Sequence, residues 1–151
     1  MSGIRDRIIL EAREWLGTKF QHQGRIKNVG CDCIGLISGV LQRLSLRING
    51  VEISDIDDKN YNKFPDKNLL EKQLDSLFDS RKLEGAKVGD IFLMKFFRNP
   101  QHVGFISQIE GDKVYIIHSY INAEGVVEQH LNENFAKKII KIYNIEKSIT
   151  A

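Results

Sequence analysis

Apolar residues change their period once along the chain, and that change restricts the fold more than any other feature. Before residue 80 they recur every three or four positions; from Val88 onward they alternate. The first pattern belongs to helices with one buried face, the second to strands of a sheet. Ile4, Ile8, Ala12, Trp15 and Leu16 predict an amphipathic helix over 3–16 that stops at Gly17. A loop from Thr18 to Gly30 follows, broken at Gly24 and Gly30. Asp32 reads as the N-cap of a second helix, with Ile34, Ile37, Val40, Leu41 and Leu44 as its apolar stripe. Gly35 and Gly39 each cost this helix about 1 kcal/mol relative to alanine. They read either as a flat track for a closely packed strand or as two tolerated glycines. Residues 47–67, rich in Asn, Asp and Lys, read as a long surface loop. Asp66–Ser80 reads as a short helix burying Leu69, Leu70, Leu74, Leu77 and Phe78.

In the second half, Asp90–Phe97, His102–Ile109, Lys113–Tyr120, Val126–Gln129 and Ile139–Ile145 are strand candidates. Most are joined by short turns: Arg98–Gln101, Glu110–Asp112 and Asn122–Gly125. The expectation is an α+β fold, with N-terminal helices packed on an antiparallel meander of about five strands. The 151 residues, 42% hydrophobic and 28% charged, suffice for a single domain spanning 1–151.

A net charge of +2 gives no reason to expect a nucleic-acid partner. No apolar run approaches the ~20 residues of a membrane span. Arg5, Asp6, Arg7, Glu11, Arg13 and Glu14 interrupt Met1–Gly17, so the sequence reads as a cytoplasmic product without a secretory signal. A substrate beyond the membrane would then require delivery by something else.

The two cysteines, Cys31 and Cys33, stand one residue apart, too close to converge into a disulfide easily. Cys33 falls in the first turn of a helix, whose unpaired N–H groups carry about half a positive charge. That favours thiolate over thiol and offers donors to an oxyanion. The competing reading is a small buried hydrophobe, as most free cysteines are. Cys31 reads as a packed neighbour of the turn. Metal ligation is disfavoured, because Cys-x-Cys is not the usual zinc spacing and no second cysteine pair exists.

Four histidines are available to act on Cys33. A three-residue Glu110–Asp112 loop pairs Ile109 with Lys113, which sets His102 against Tyr120 and His118 against Gly104. Both histidines then share one sheet face as diagonal neighbours about 7–8 Å apart. A two-residue loop would put them on opposite faces, unless a bulge intervenes. On the favoured register His102 can take the proton of Cys33, and His118 can fix its orientation. His22, in the loop before Cys33, can line the cleft. His130 reads as a surface residue.

Several ordered strings resemble the NlpC-type cysteine peptidases. They are Gly17-Thr18-Lys19-Phe20, Asp32-Cys33-Ile34-Gly35-Leu36, Val88-Gly89-Asp90-Ile91, His102-Val103-Gly104-Phe105 and Ile117-His118. His22-Gln23-Gly24-Arg25 and Val29-Gly30-Cys31-Asp32-Cys33 are similar to the subgroup encoded by tailed phages and gene-transfer agents. The resemblance implies a papain-like fold and hydrolysis of peptidoglycan stem peptides, at the γ-D-glutamyl–diaminopimelate bond or a neighbouring one. It implies Cys33 as nucleophile, His102 as base and His118 as third polar group, with no metal or cofactor. Asp32, Ile34, Phe20 and His22 become candidates for the substrate or oxyanion site. Partners implied are the stem peptide and phage-tail-like particle proteins, so the expected location extends to a virion or similar particle.

The chain departs from the family at two positions. Phe20 stands where a tyrosine is frequent, and Ile34 where serine is common, so the cleft is more apolar. Two other readings stay open: an inert structural or plug module of a phage-like tail, and a Cys–His acyltransferase or amidase on the same fold.

Overall fold

The protein is described by a computed structural model covering residues 3–58, 69–96 and 99–151. Helix α1 (Ile4–Glu14) turns Ile8, Ile9 and Ala12 inward. Asp6 in its first turn and Arg13 in its last suit the helix dipole. The stretch read as a plain loop contains a small hairpin, β1 (Arg25–Ile26) and β2 (Gly30–Cys31). Helix α2 (Cys33–Arg43) follows directly, capped by the Asp32 carboxylate as expected.

The two glycines of α2 are indeed a track, filled at Gly39 by an indole ring and at Gly35 by the backbone that leads into β1. A Cβ on Gly39 would stand 2.2 Å from Trp15 Cη2, and one on Gly35 would stand 1.8 Å from the Gly24 carbonyl oxygen. The Trp15 indole, just past the end of α1, and the backbone at Gly24 thus occupy the space that side chains would fill.

The surface-loop reading of 47–67 fails over its described part. Strands β3 (Arg47–Ile48) and β4 (Val51–Glu52) form a hairpin, and α3 (Ile53–Ile56) adds one turn of helix. Ile48 and Ile53 are buried, so two isolated apolar residues in polar surroundings do the anchoring. The rest of that stretch, and the first residues of the predicted 66–80 helix, lie outside the described residues. Helix α4 (Leu69–Leu77) buries Leu70 and Leu74, whereas Leu69 is exposed. It ends earlier than predicted, because Asp79–Arg81 is strand β5.

The main sheet continues with β6 (Ile91–Phe96), β7 (Asn99–Glu110), β8 (Lys113–Tyr120) and β9 (Gly125–His130). The short helix α5 (Glu133–Ala136), β10 (Ile139–Asn144) and β11 (Ile149–Thr150) complete the chain. Strand order is β5-β10-β6-β7-β8-β9, all antiparallel, while β11 joins β3 and β4 in a separate small sheet. The meander holds for β6 through β9. β10 then crosses to the far side of β6, pairing Ile142 with Phe92 and Tyr143 with Ile91. Ile142 and Tyr143 are both fully buried although they point to opposite faces. A strand buried on both faces belongs inside a sheet, which explains why it leaves the β9 edge.

Two apolar layers result. Helices α1, α2 and α4 cover one face, over Ile91, Leu93, Val103, Phe105 and Ile117. The other face buries Phe92, Met94, Ile106, Ile116 and Ile142 beneath Leu131 and Phe135.

The β7–β8 register decides where the histidines go. The turn is two residues, since Glu110 pairs with Lys113, so the expected three-residue loop is wrong. By itself that would separate the histidines. The register shifts between Ile106 and Gln108, however, so that Ile106 pairs with Ile116 and Phe105 with Ile117. Ser107 is the extra residue of a β-bulge, and it restores the parity that the shorter turn removed.

Candidate active site

The start of α2 is held by a buried carboxylate. Asp32 Oδ1 accepts from the Gly35 N–H at 2.8 Å and from Arg25 Nη1 at 3.1 Å. Its Oδ2 accepts from the Gln23 N–H at 2.7 Å. Arg25 is itself pinned by Asp57, with Nε 2.8 Å from Oδ2 and Nη2 3.1 Å from Oδ1. One N-cap thereby fastens the Gln21–Gly24 turn, the β1 strand and the end of α3 to the helix that begins with Cys33. The residues preceding the helix are tied to the sheet as well. Ser119 Oγ donates to the Cys31 carbonyl at 2.8 Å, and Cys31 N–H donates to the Lys19 carbonyl at 3.0 Å.

The paired register of β7 and β8 ends at Phe105 and Ile117. The Cys31–Cys33 segment sits where the two strands part. The backbone N–H groups of Val103, one residue after His102, and of Ile34 approach the Cys33 sulfur.

Across the same strands, His102 Nε2 lies 2.6 Å from His118 Nδ1. Carried past its last pair, the bulged register sets His118 beside Gly104 and His102 beside Tyr120. The diagonal arrangement expected from the sequence is therefore present. Aromatic rings enclose the pair: Phe92 centres 5.9 Å from His102 and 6.2 Å from His118, and Tyr120 stacks on His118 at 5.1 Å. Gly104 makes room for Phe92, since a Cβ there would lie 2.5 Å from its ring. Beyond His118, its Nε2 meets Gln129 Oε1 at 2.9 Å.

The electrostatics overturn one expectation. Burial pushes the Cys33 thiol up to about 12, and the Asp32 carboxylate adds to the rise. The N–H groups of Val103, Ile34 and Cys33 pull the other way without prevailing. The helix terminus thus does not produce a standing thiolate, because desolvation of the charge outweighs it. Cys33 remains partly open to solvent, whereas Cys31 is fully buried and pushed by desolvation to about 11. His102 is held well below the usual histidine range by burial and by the neighbouring His118. Burial lowers His118 too, partly opposed by its bond to Gln129. In the resting state Cys33 is therefore a thiol and His102 a neutral imidazole.

The other predicted residues gather around the helix start. Phe20 bridges to Cys31, and its N–H donates to the Glu124 carbonyl at 3.0 Å. His22 Nδ1 lies 4.0 Å from Asp32 Oδ2. Ile34 and Val103 help line an apolar cavity of about 460 Å³ with Ile37, Leu41, Leu70 and Leu74. Gln129 and Arg25 are the residues whose contacts the sequence reading missed. Tyr120 pairs with Gly125 and Ile116 with Gln129, so counting along the β8–β9 hairpin would have brought Gln129 one diagonal step from His118.

A sequence model of the NlpC/P60 family matches residues 17–144, most of the chain and all of these groups. The chain belongs to the NlpC/P60 family. Solved structures agree on the fold of this NlpC/P60 domain. The NlpC/p60 domain of the peptidoglycan hydrolase SagA is 18% identical, with a TM-score of 0.62 over 94% of this chain and 99% of that one. NlpC2 from Trichomonas vaginalis is 16% identical with a TM-score of 0.62, covering 95% of this chain but 49% of its own. A lipoprotein-like NLP/P60 protein of Staphylococcus aureus is 17% identical with a TM-score of 0.60, covering 93% and 41%. The chain thus spans about half or less of the last two. A search of curated proteins gives no match. Among the described residues, no helix is long and apolar enough to cross a membrane.

Proposed function

We propose that this NlpC/P60 chain is a cysteine peptidase that hydrolyses peptide bonds in peptidoglycan stem peptides, the γ-D-glutamyl–diaminopimelate bond first among them. Cys33 is the nucleophile, His102 its base and His118 the group that orients the base. One observation carries the reading: a buried imidazole pair at 2.6 Å begins one residue from the N–H that approaches the Cys33 sulfur.

The proton moves as the sulfur attacks. The thiol gives it to His102 while the C–S bond forms, and the imidazolium returns it to the leaving amine. Water, with His102 again as base, then cleaves the thioester. The N–H groups at the start of α2 stabilise the oxyanion, since Phe20 has no hydroxyl to contribute. The likeness to the peptidoglycan hydrolase SagA supports the substrate class.

The reading extends to a single working domain, made in the cytoplasm and carried with phage-tail-like particle proteins, as the His22–Arg25 and Val29–Cys33 strings suggest. Digestion of purified sacculi tests the chemistry. Cys33→Ala abolishes it while the circular-dichroism spectrum stays unchanged; full digestion by that variant rejects the assignment.

The apolar cavity lined by Ile34 and Val103, the residues that follow Cys33 and His102 in the chain, favours a second reading, transfer or hydrolysis of an acyl group by the same cysteine and histidine. Mass spectrometry separates the two. Shortened stem peptides support the peptidase, and intact peptides with a consumed acyl donor support the alternative.

A further inference from the structure

We propose that Gln129 is a positioning residue that sets the tautomers of both histidines and so determines which nitrogen of His102 faces the thiol as a base. The proposal rests on the assignment of Cys33 and His102 as nucleophile and base, and it adds a residue that never touches substrate.

One hydrogen-bonded line crosses three strands. Gln129 Oε1, on β9, is 2.9 Å from His118 Nε2 on β8. A carbonyl oxygen only accepts, so His118 carries its proton on Nε2. His118 is fully buried, and burial keeps it neutral. Its Nδ1 therefore holds a lone pair and accepts. The partner at 2.6 Å is His102 Nε2, which must then be the donor. A neutral imidazole protonated on Nε2 has its lone pair on Nδ1, and that nitrogen is left to receive a proton from Cys33. Each assignment forces the next.

The same line shows what turning the carbonyl end of the amide toward His118 decides, since the other end of the side chain, its NH2, donates. Were a donor at this position, His118 Nε2 would accept and Nδ1 would carry the proton. His102 Nε2 would have to accept in turn, and its Nδ1 would present a hydrogen to the thiol. The base would be the wrong way round, although every hydrogen bond would still be made. An acceptor at 129 is thus worth more than one hydrogen bond, because it fixes the direction of the other two. The surroundings do not set that direction. Phe92 on β6, Tyr120 on β8 and Phe135 of α5 face His118 with rings. Among the described residues, the ionisable side chains facing it are His102 and Tyr120.

Two variants and two readouts test the proposal. Gln129→Met keeps the length and removes the acceptor. Gln129→Glu keeps an obligate acceptor and adds a charge that favours imidazolium. The first readout is the 15N chemical shift of the histidine ring nitrogens at neutral pH, which reports tautomers with or without catalysis. In the wild type both His102 and His118 are protonated on Nε2. Gln129→Glu keeps that pattern, and Gln129→Met gives a mixture. The second readout is cleavage of a synthetic stem peptide. Gln129→Met lowers kcat by about 10–100-fold, the usual effect of losing an outer orienting partner, with KM little altered. Gln129→Glu recovers most of kcat and moves the acid limb of the rate profile to higher pH. The idea is overturned if Gln129→Met keeps the wild-type tautomers, or if Gln129→Glu loses them while still folded. An inactive wild type with the stated tautomers would count against the peptidase reading and leave the Gln129 assignment standing.

Discussion

Replacing Gly39 with alanine sets two effects of known sign against each other. In an exposed helix the change gains about 1 kcal/mol. At this position the new Cβ stands 2.2 Å from Trp15 Cη2 and 2.6 Å from Cζ2. The indole cannot swing away: it is fully buried, and its Nε1 donates to Glu11 Oε2 at 2.9 Å. That carboxylate is fixed in turn by Lys27 at 2.8 Å and Arg43 at 3.3 Å. Overpacking of a rigid core costs about 1–3 kcal/mol, so Gly39→Ala is expected to lose about 1 kcal/mol net. For a chain of this size that lowers Tm by roughly 2–4 °C. Trp15 is the only tryptophan, so its fluorescence follows unfolding of this contact directly. A double-mutant cycle isolates the clash. Phenylalanine lacks the outer indole ring, so in a Trp15→Phe background the alanine should stabilise, with circular dichroism as the probe. A rise in Tm for Gly39→Ala alone, or a coupling near zero, would refute the argument that the glycine exists to seat the indole.

Other expectations concern the site and its frame. His102 and His118 are neutral in the fold, with pKa values below the unfolded value of 6.5. The unfolded chain therefore binds more protons below that value, and stability is full above it and falls as the pH drops. Denaturant titrations at several pH values check this; a His102→Gln variant should show a shallower decline. A thiol alkylating reagent should modify Cys33 before the fully buried Cys31, faster as the pH rises, because burial raises both thiols; prior modification of Cys31, read by peptide mass spectrometry, contradicts the packing. Arg5 Nη1 lies 2.8 Å from the fully buried Asp90 carboxylate and 3.0 Å from the Val88 carbonyl. Arg5→Met leaves that charge unpaired and should cost about 3 kcal/mol in a urea titration; a loss under 1 kcal/mol would show that water replaces the guanidinium.

Much of the fold was legible because the signals were local. Asp32 before an apolar stripe announces a capped helix, and the alternation after Val88 announces strands. What escaped depends on contacts between distant segments. Ile142 and Tyr143 alternate like any strand, and only their burial on both faces shows that β10 lies inside the sheet. Ile48 and Ile53 look like strays in a polar stretch until β11 pairs beside them. The site was read in part for the same reason. Cys33 and the histidines have reactive side chains that draw notice, whereas Gln129 is an ordinary amide whose place depends on the β8–β9 register. The sign of the Cys33 shift was misjudged because a helix terminus is visible in a sequence and desolvation is not.

The bulge at Ser107 frees the tip of the β7–β8 hairpin from the site at its base. In an unbroken ladder, adding or removing one tip residue turns His102 away from His118. With a spare residue in the strand, the change can be absorbed midway, and the tip can lengthen while Ser107 is given up. Two sequences that differ by such a compensated insertion and deletion would look misaligned across this hairpin, yet present the same pair of rings to the same sulfur.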